Sequence, residues 1–120
     1  MKLQIVRIVD RGVPNKERLH LSVLQDVNLS FYVVLHSRYA TPQTISSGHL
    51  LAYWFPNQQV RTGDQVVLLS GPGTNTSRKE PGGTTTYFYY WGLKDSLWGQ
   101  FEDCAVVVEA LSWSTSIRGG

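Results

Sequence analysis

Tyr53-Trp54-Phe55-Pro56, the turn Val60-Arg61-Thr62-Gly63-Asp64 and the apolar run Gln65–Leu69 open the stretch that decides the fold. A Gly- and Pro-rich segment, Ser70–Gly83, leads on to Tyr87-Phe88-Tyr89-Tyr90-Trp91, and Leu97-Trp98 then precedes Asp103 and the run Cys104–Glu109. These runs are short, rich in aromatic and β-branched residues, and bounded by glycine, proline and aspartate. That is how strands read when one face packs a core and tight turns separate them.

The same pattern extends outward in both directions. Leu3, Ile5, Arg7 and Val9 alternate with Gln4, Val6, Ile8 and Asp10, and Arg11–Asn15 is a turn. Leu19, Leu21 and Val23 line one face of the next run, opposite Arg18, His20 and Ser22. Gln25–Asn28 reads as a hairpin loop leading into Leu29–His36, where Leu29, Phe31, Val33 and Leu35 share a face. Tyr39–Gly48 is loop-like, and His49–Phe55 a strand stopped by Pro56-Asn57. Gly71–Gly83 holds two prolines and four glycines and is expected to stay out of any ladder. Thr84–Gly92 and Cys104–Leu111 are further strands, the latter with a continuation to Ile117 as an alternative. No segment has helical periodicity. The expected fold is all-β: one immunoglobulin-like β-sandwich spanning residues 1–120, with about seven to eight mostly antiparallel strands and no substantial helix.

Composition narrows the function classes. A chain of 120 residues that is 42% hydrophobic and 17% charged is globular. Its net charge of +2 comes from dispersed basic residues, which gives little support to nucleic-acid binding. Cys104 is the single cysteine, so no intrachain disulfide forms, and its Val-rich surroundings predict a buried, inert thiol. No apolar run approaches the ~20 residues of a membrane helix, so no membrane partner is expected. Met1–Asp10 lacks the features of a signal peptide, and the cytoplasm is the expected compartment.

Phe55-Pro56, then Gly63-Asp64 before an apolar strand ending in Ser70-Gly71-Pro72-Gly73, resembles the lamin tail domain family. So does Tyr87–Trp91 followed by Leu97-Trp98, Asp103 and Ala105-Val106-Val107. Glu17-Arg18-Leu19-His20-Leu21 with Leu29-Ser30-Phe31-Tyr32-Val33-Val34 is similar to the family's first hairpin. The resemblance runs from residue 17 to about 110, although Thr62 stands where the family more often has proline. It implies an immunoglobulin-like sandwich acting as a non-catalytic binding or scaffolding module, and it names no ligand.

Within that frame the candidate site residues are Tyr87, Tyr89 and Trp91, which project to one side of a strand, with Arg78 and Lys79 in the preceding loop. An exposed stripe of flat rings suits a protein partner, and a sugar or a nucleic acid as alternatives. The competing reading is that neighbouring strands and the long loop cover these rings. The C-terminal Arg118-Gly119-Gly120 is similar to the tail of ubiquitin-like modifiers, which makes Gly119 and Gly120 candidate conjugation residues. A free sheet edge would also let the chain oligomerise as a structural subunit.

Nothing points to an enzyme. There is no nucleophile elbow, and adjacent Glu102 and Asp103 would point to opposite faces of a strand, so Asp103 reads as a turn residue. His20, His36 and His49 lie far apart in sequence and read as single histidines on polar faces, although a hairpin would bring His20 and His36 near each other. No metal site or cofactor is expected.

Overall fold

The computed structural model describes residues 1–41, 44–45 and 51–117. Two mostly antiparallel sheets pack face to face, the immunoglobulin-like sandwich that the sequence predicts. In chain order the strands are β1 (Leu3–Val9), β2 (Arg18–Val23), β3 (Val27–Asn28), β4 (Tyr32–Thr41), β5 (Thr44–Ile45), β6 (Leu51–Trp54), β7 (Gln59–Val60), β8 (Gln65–Leu69), β9 (Thr76–Lys79), β10 (Thr85–Tyr90) and β11 (Asp103–Glu109). The first sheet has the order β1-β2-β8-β10-β9. In the second, β4 is central, with β11 on one side and β6 and β5 along the other. β3 and β7 form a small separate pair.

Three departures from simple alternation decide which side chains reach the core. The first is a bulge between Ile5 and Arg7, which turns Val6 outward and lets Ile5 and Ile8 both pack inward. The second is a single 3₁₀ turn at Leu29–Phe31, capped by Asn28, whose Oδ1 accepts from the N–H of Ser30 at 2.9 Å and of Gln58 at 3.2 Å. This turn shifts the phase of β4 by one residue. Leu29, Tyr32, Val34 and His36 are buried, while Phe31 is exposed, so the face predicted from Leu29, Phe31, Val33 and Leu35 is corrected. The third is β9. Its residues Thr76–Lys79 contain neither proline nor glycine and pair antiparallel with β10, contrary to the expectation that Gly71–Gly83 makes no ladder. Prolines and glycines confined to the segment's two ends break only the ends.

β8 and β10 run parallel because the chain crosses to the sheet edge as β9 before turning back between β8 and β9. The crossing is tight at Gly73. A Cβ built there would lie 2.3 Å from the Tyr90 ring, so only glycine lets the ring lie on this backbone. Gly73→Ala is therefore expected to cost about 1–3 kcal/mol, the range for overpacking. Chemical denaturation of the variant checks this, and an unchanged midpoint would contradict it.

Between the sheets, Leu3, Leu19, Leu21, Val23, Val66 and Leu68 meet Tyr32, Val34 and Phe55. Aromatic contacts join the two layers, Tyr89 to Phe55 edge-to-face at 5.3 Å and Trp91 to Tyr53 at 5.7 Å, and Trp91 also meets the fully buried Trp98 at 6.1 Å.

Candidate functional site

The rings singled out from the sequence belong to this core. Tyr89 is 5% exposed, and Tyr87 and Trp91 are partly buried against the same cluster. Of the two readings of the Tyr87, Tyr89 and Trp91 stripe, the covered one holds: the second sheet lies over that side of β10 and supplies Phe55 and Tyr53 as ring partners. Burial pushes the Tyr89 hydroxyl up to about 12. Arg78 and Lys79 are exposed, on β9 rather than in a loop. Arg78 pairs with Glu80 at 2.7 Å and covers the Phe88 ring at 5.3 Å. Gly119 and Gly120 lie outside the described residues, as does His49.

One buried carboxylate, Glu17, escaped the sequence reading, and Asp103 does more than the turn role read for it. Glu17 is fully buried. Its oxygens accept from the N–H of Leu97 (2.6 Å), Trp98 (2.9 Å) and Gly12 (2.7 Å), and from the Ser70 hydroxyl (2.8 Å). A carboxylate supplied with this many donors is satisfied without a cation and ties three loops to β2. Asp103 accepts from the N–H of Gln100 at 2.8 Å, as a turn residue should. It also meets His36 Nε2 and Arg38 Nε, each at 3.0 Å. Burial alone would raise its carboxyl, but the donors outweigh burial and hold it below the usual carboxylate range.

His36 is thus a buried structural partner, not a residue on a polar face. It also sits in a different sheet from His20, so the predicted approach of the two is corrected. The His36 Nδ1 is enclosed with no partner among the described residues, so this pair offers no exposed base. Burial, then Arg7 and Arg18, push His20 down. Cys104 is half-buried rather than buried, and burial pushes its thiol up, against the influence of Arg11. Among the described residues no group of three or more His, Cys, Asp or Glu is placed to hold a metal ion, and no helix is long and apolar enough to cross a membrane.

The unusual surface lies on the second sheet. Val33 stands opposite both Trp54 and Val108, and Leu35 opposite both Ala52 and Val106, so these six share one face. Their neighbours Val34, Tyr53 and Val107 point into the core, which makes the shared face the outer one. A solvated outer face is normally polar, yet this one is aliphatic and aromatic. Beyond β11 the chain bends at Leu111 and carries Trp113 onto Trp54 (5.3 Å, edge-to-face) and Phe31 (6.4 Å). Trp54 and Trp113 remain 49% and 52% exposed. Trp54 Nε1 donates to the Ser30 carbonyl at 2.7 Å, which holds the indole in place. The only sequence sign of this cluster was the aromatic character of Tyr53–Phe55. Trp113 lies outside every strand: β11 ends at Glu109, so the alternative continuation to Ile117 does not form.

A second feature adjoins this face. Where the sandwich opens between β1 and β11, Ile5, Ile8, Arg11, Tyr39, Phe101 and Ala105 help line a groove.

No family model, curated protein or solved structure matches this chain. The fold and surface therefore define its class by themselves: an all-β sandwich with one apolar outer sheet face.

Proposed function

We propose that the chain is a non-catalytic protein-binding module, similar to a lamin tail domain, that engages its partner through the outer face of the second sheet. The observation that carries this reading is the half-exposed Trp54–Trp113 pair, held in a defined geometry beside Phe31 on an aliphatic field. Fixed indoles give large contact area at little cost in side-chain entropy, and such rings act as anchors in protein interfaces. The face also favours a protein over the other ring-stacking partners. Val33, Leu35, Ala52, Val106 and Val108 bring neither the cations that neutralise phosphates nor the polar groups that fix sugar hydroxyls.

The test compares the wild-type chain with a Trp54→Ala/Trp113→Ala variant in parallel affinity capture, glycan-array and oligonucleotide binding. The expected result is one or more proteins retained by the wild type and lost by the variant, with thermal unfolding shifted by no more than a few degrees. Equal capture by both chains, or binding to glycans or salt-sensitive binding to oligonucleotides in place of proteins, overturns the proposal.

A further inference from the structure

From the free edge of β11 we infer that the chain pairs with a second copy of itself through that strand, in an antiparallel register centred on Val107. This goes beyond the partner-binding face described above and involves a different surface.

Among the described residues the two large sheets have outer edges at β1 and β9 in the first and at β11, β5 and β6 in the second, of which β5 and β6 are only two and four residues long. Natural sheets guard their edges with bulges, charges or brevity. β1 carries the bulge at Val6. β9 is four residues long and presents Arg78 and Lys79 to solvent. β11 has none of these devices: between its ends it reads Cys104-Ala105-Val106-Val107-Val108, with no charge, proline or glycine. Its terminal acids are also held away from the edge. Asp103 is bound to His36 and Arg38, and the Glu109 carboxylate accepts from the Tyr32 hydroxyl at 2.7 Å.

Hydrogen-bond parity shows which backbone groups are free. Ala110 N–H donates to the Phe31 carbonyl at 2.7 Å, and Tyr39 N–H donates to the Glu102 carbonyl at 3.2 Å. Even-numbered positions therefore point their backbone groups toward β4, and odd-numbered ones point away. At Asp103 both groups are already used, the N–H by the Gln100 carbonyl at 3.1 Å and the carbonyl by the Arg11 guanidinium. Among the described residues that leaves the N–H and C=O groups of Ala105, Val107 and Glu109 without a ladder partner.

This set is symmetric about Val107. A twofold axis there sets Val107 against its own copy and Ala105 against Glu109 of the other chain. Every free donor then meets a free acceptor, and no acid stands opposite an acid. Val106 of each chain falls opposite Val108 of the other, so the apolar outer face runs across the seam. The inward side of the added strand covers the groove lined by Ile5, Ile8 and Ala105. Among the described residues the segment after β11 leaves this edge open, because it bends at Leu111 and carries Trp113 onto its own sheet. Another extended peptide could use the same hydrogen bonds, but the symmetric set of free groups and the placement of the acids specifically suit a second copy.

The experiment is light scattering with size-exclusion chromatography over a concentration series, with a register test by disulfide trapping. The wild type is expected to reach twice the 13.5 kDa chain mass. Val107→Pro removes an N–H that β4 does not use and should give a folded monomer. Should that variant unfold, Ala110→Cys decides. The proposed register sets position 110 opposite Cys104 of the other copy as a non-hydrogen-bonded pair, with Cα atoms about 4.5 Å apart, within disulfide reach. Diamide should convert Ala110→Cys largely to a covalent dimer, and Val108→Cys far less. A wild type that stays monomeric at every concentration overturns the inference. So does a dimer in which diamide links Ala110→Cys no better than Val108→Cys.

Discussion

Glu17→Ala is expected to lower the unfolding free energy by about 4 kcal/mol. The substitution strands three backbone N–H groups, those of Gly12, Leu97 and Trp98, and the Ser70 hydroxyl. Each buried donor left without a partner costs about 1–3 kcal/mol, and water entering the vacated space offsets part of the total. A single domain has about 5–15 kcal/mol in reserve, so the variant should be close to the limit of folding at ordinary temperature. Glu17→Gln keeps the shape and one acceptor oxygen but turns an NH₂ group toward donors, so its loss should be about half as large. Urea unfolding of both variants measures the difference. A loss below about 1 kcal/mol for Glu17→Ala would mean that the three loops do not depend on this carboxylate.

The second large effect is the contrast between Tyr89 and Trp54. Tyr89→Ala is expected to cost about 3–5 kcal/mol, as large aromatic truncations in a core do, because the ring lies edge-on to Phe55 between the sheets. Trp54→Ala removes a half-exposed ring from a solvated face and should cost about 1 kcal/mol or less. Binding should respond in the opposite order, with partner capture surviving whatever fraction of Tyr89→Ala remains folded and failing for Trp54→Ala. Capture that depends on Tyr89 in a variant with wild-type unfolding would return the binding surface to β10. Both variants can be followed by tryptophan fluorescence together with far-ultraviolet circular dichroism.

The architecture was largely legible in the residues. Gly63 takes a positive φ of 93° in the turn between β7 and β8. Asp64, next to it, accepts from the N–H groups of Arg61 and Thr85, both at 2.9 Å. The turn and the Arg61 bond are local needs that local residue types announce, whereas the bond to Thr85 depends on the fold. The candidate site was less legible. Period-two alternation says that β10 has two faces but not which one the other sheet covers, and the aromatic side proved to be the covered one. Arg78 and Lys79, read as a loop feature, guard an edge. Glu17 looked like an ordinary charge before a strand because its donors come from residues 12, 70, 97 and 98, which only the fold gathers.

By itself the sequence determined what depends on nearest neighbours: the all-β class, most strand positions, the turns at Gly63 and Asp103, and the core run Val66–Leu68. The tertiary structure alone decided what depends on phase and on contacts distant along the chain. One bulge at Val6 and one 3₁₀ turn at Leu29–Phe31 each exchange inside for outside along a strand, since adjacent side chains point to opposite faces. For that reason the strand Tyr53–Trp54, part of the segment that revealed the fold, sends Tyr53 into the core and leaves Trp54 on the surface.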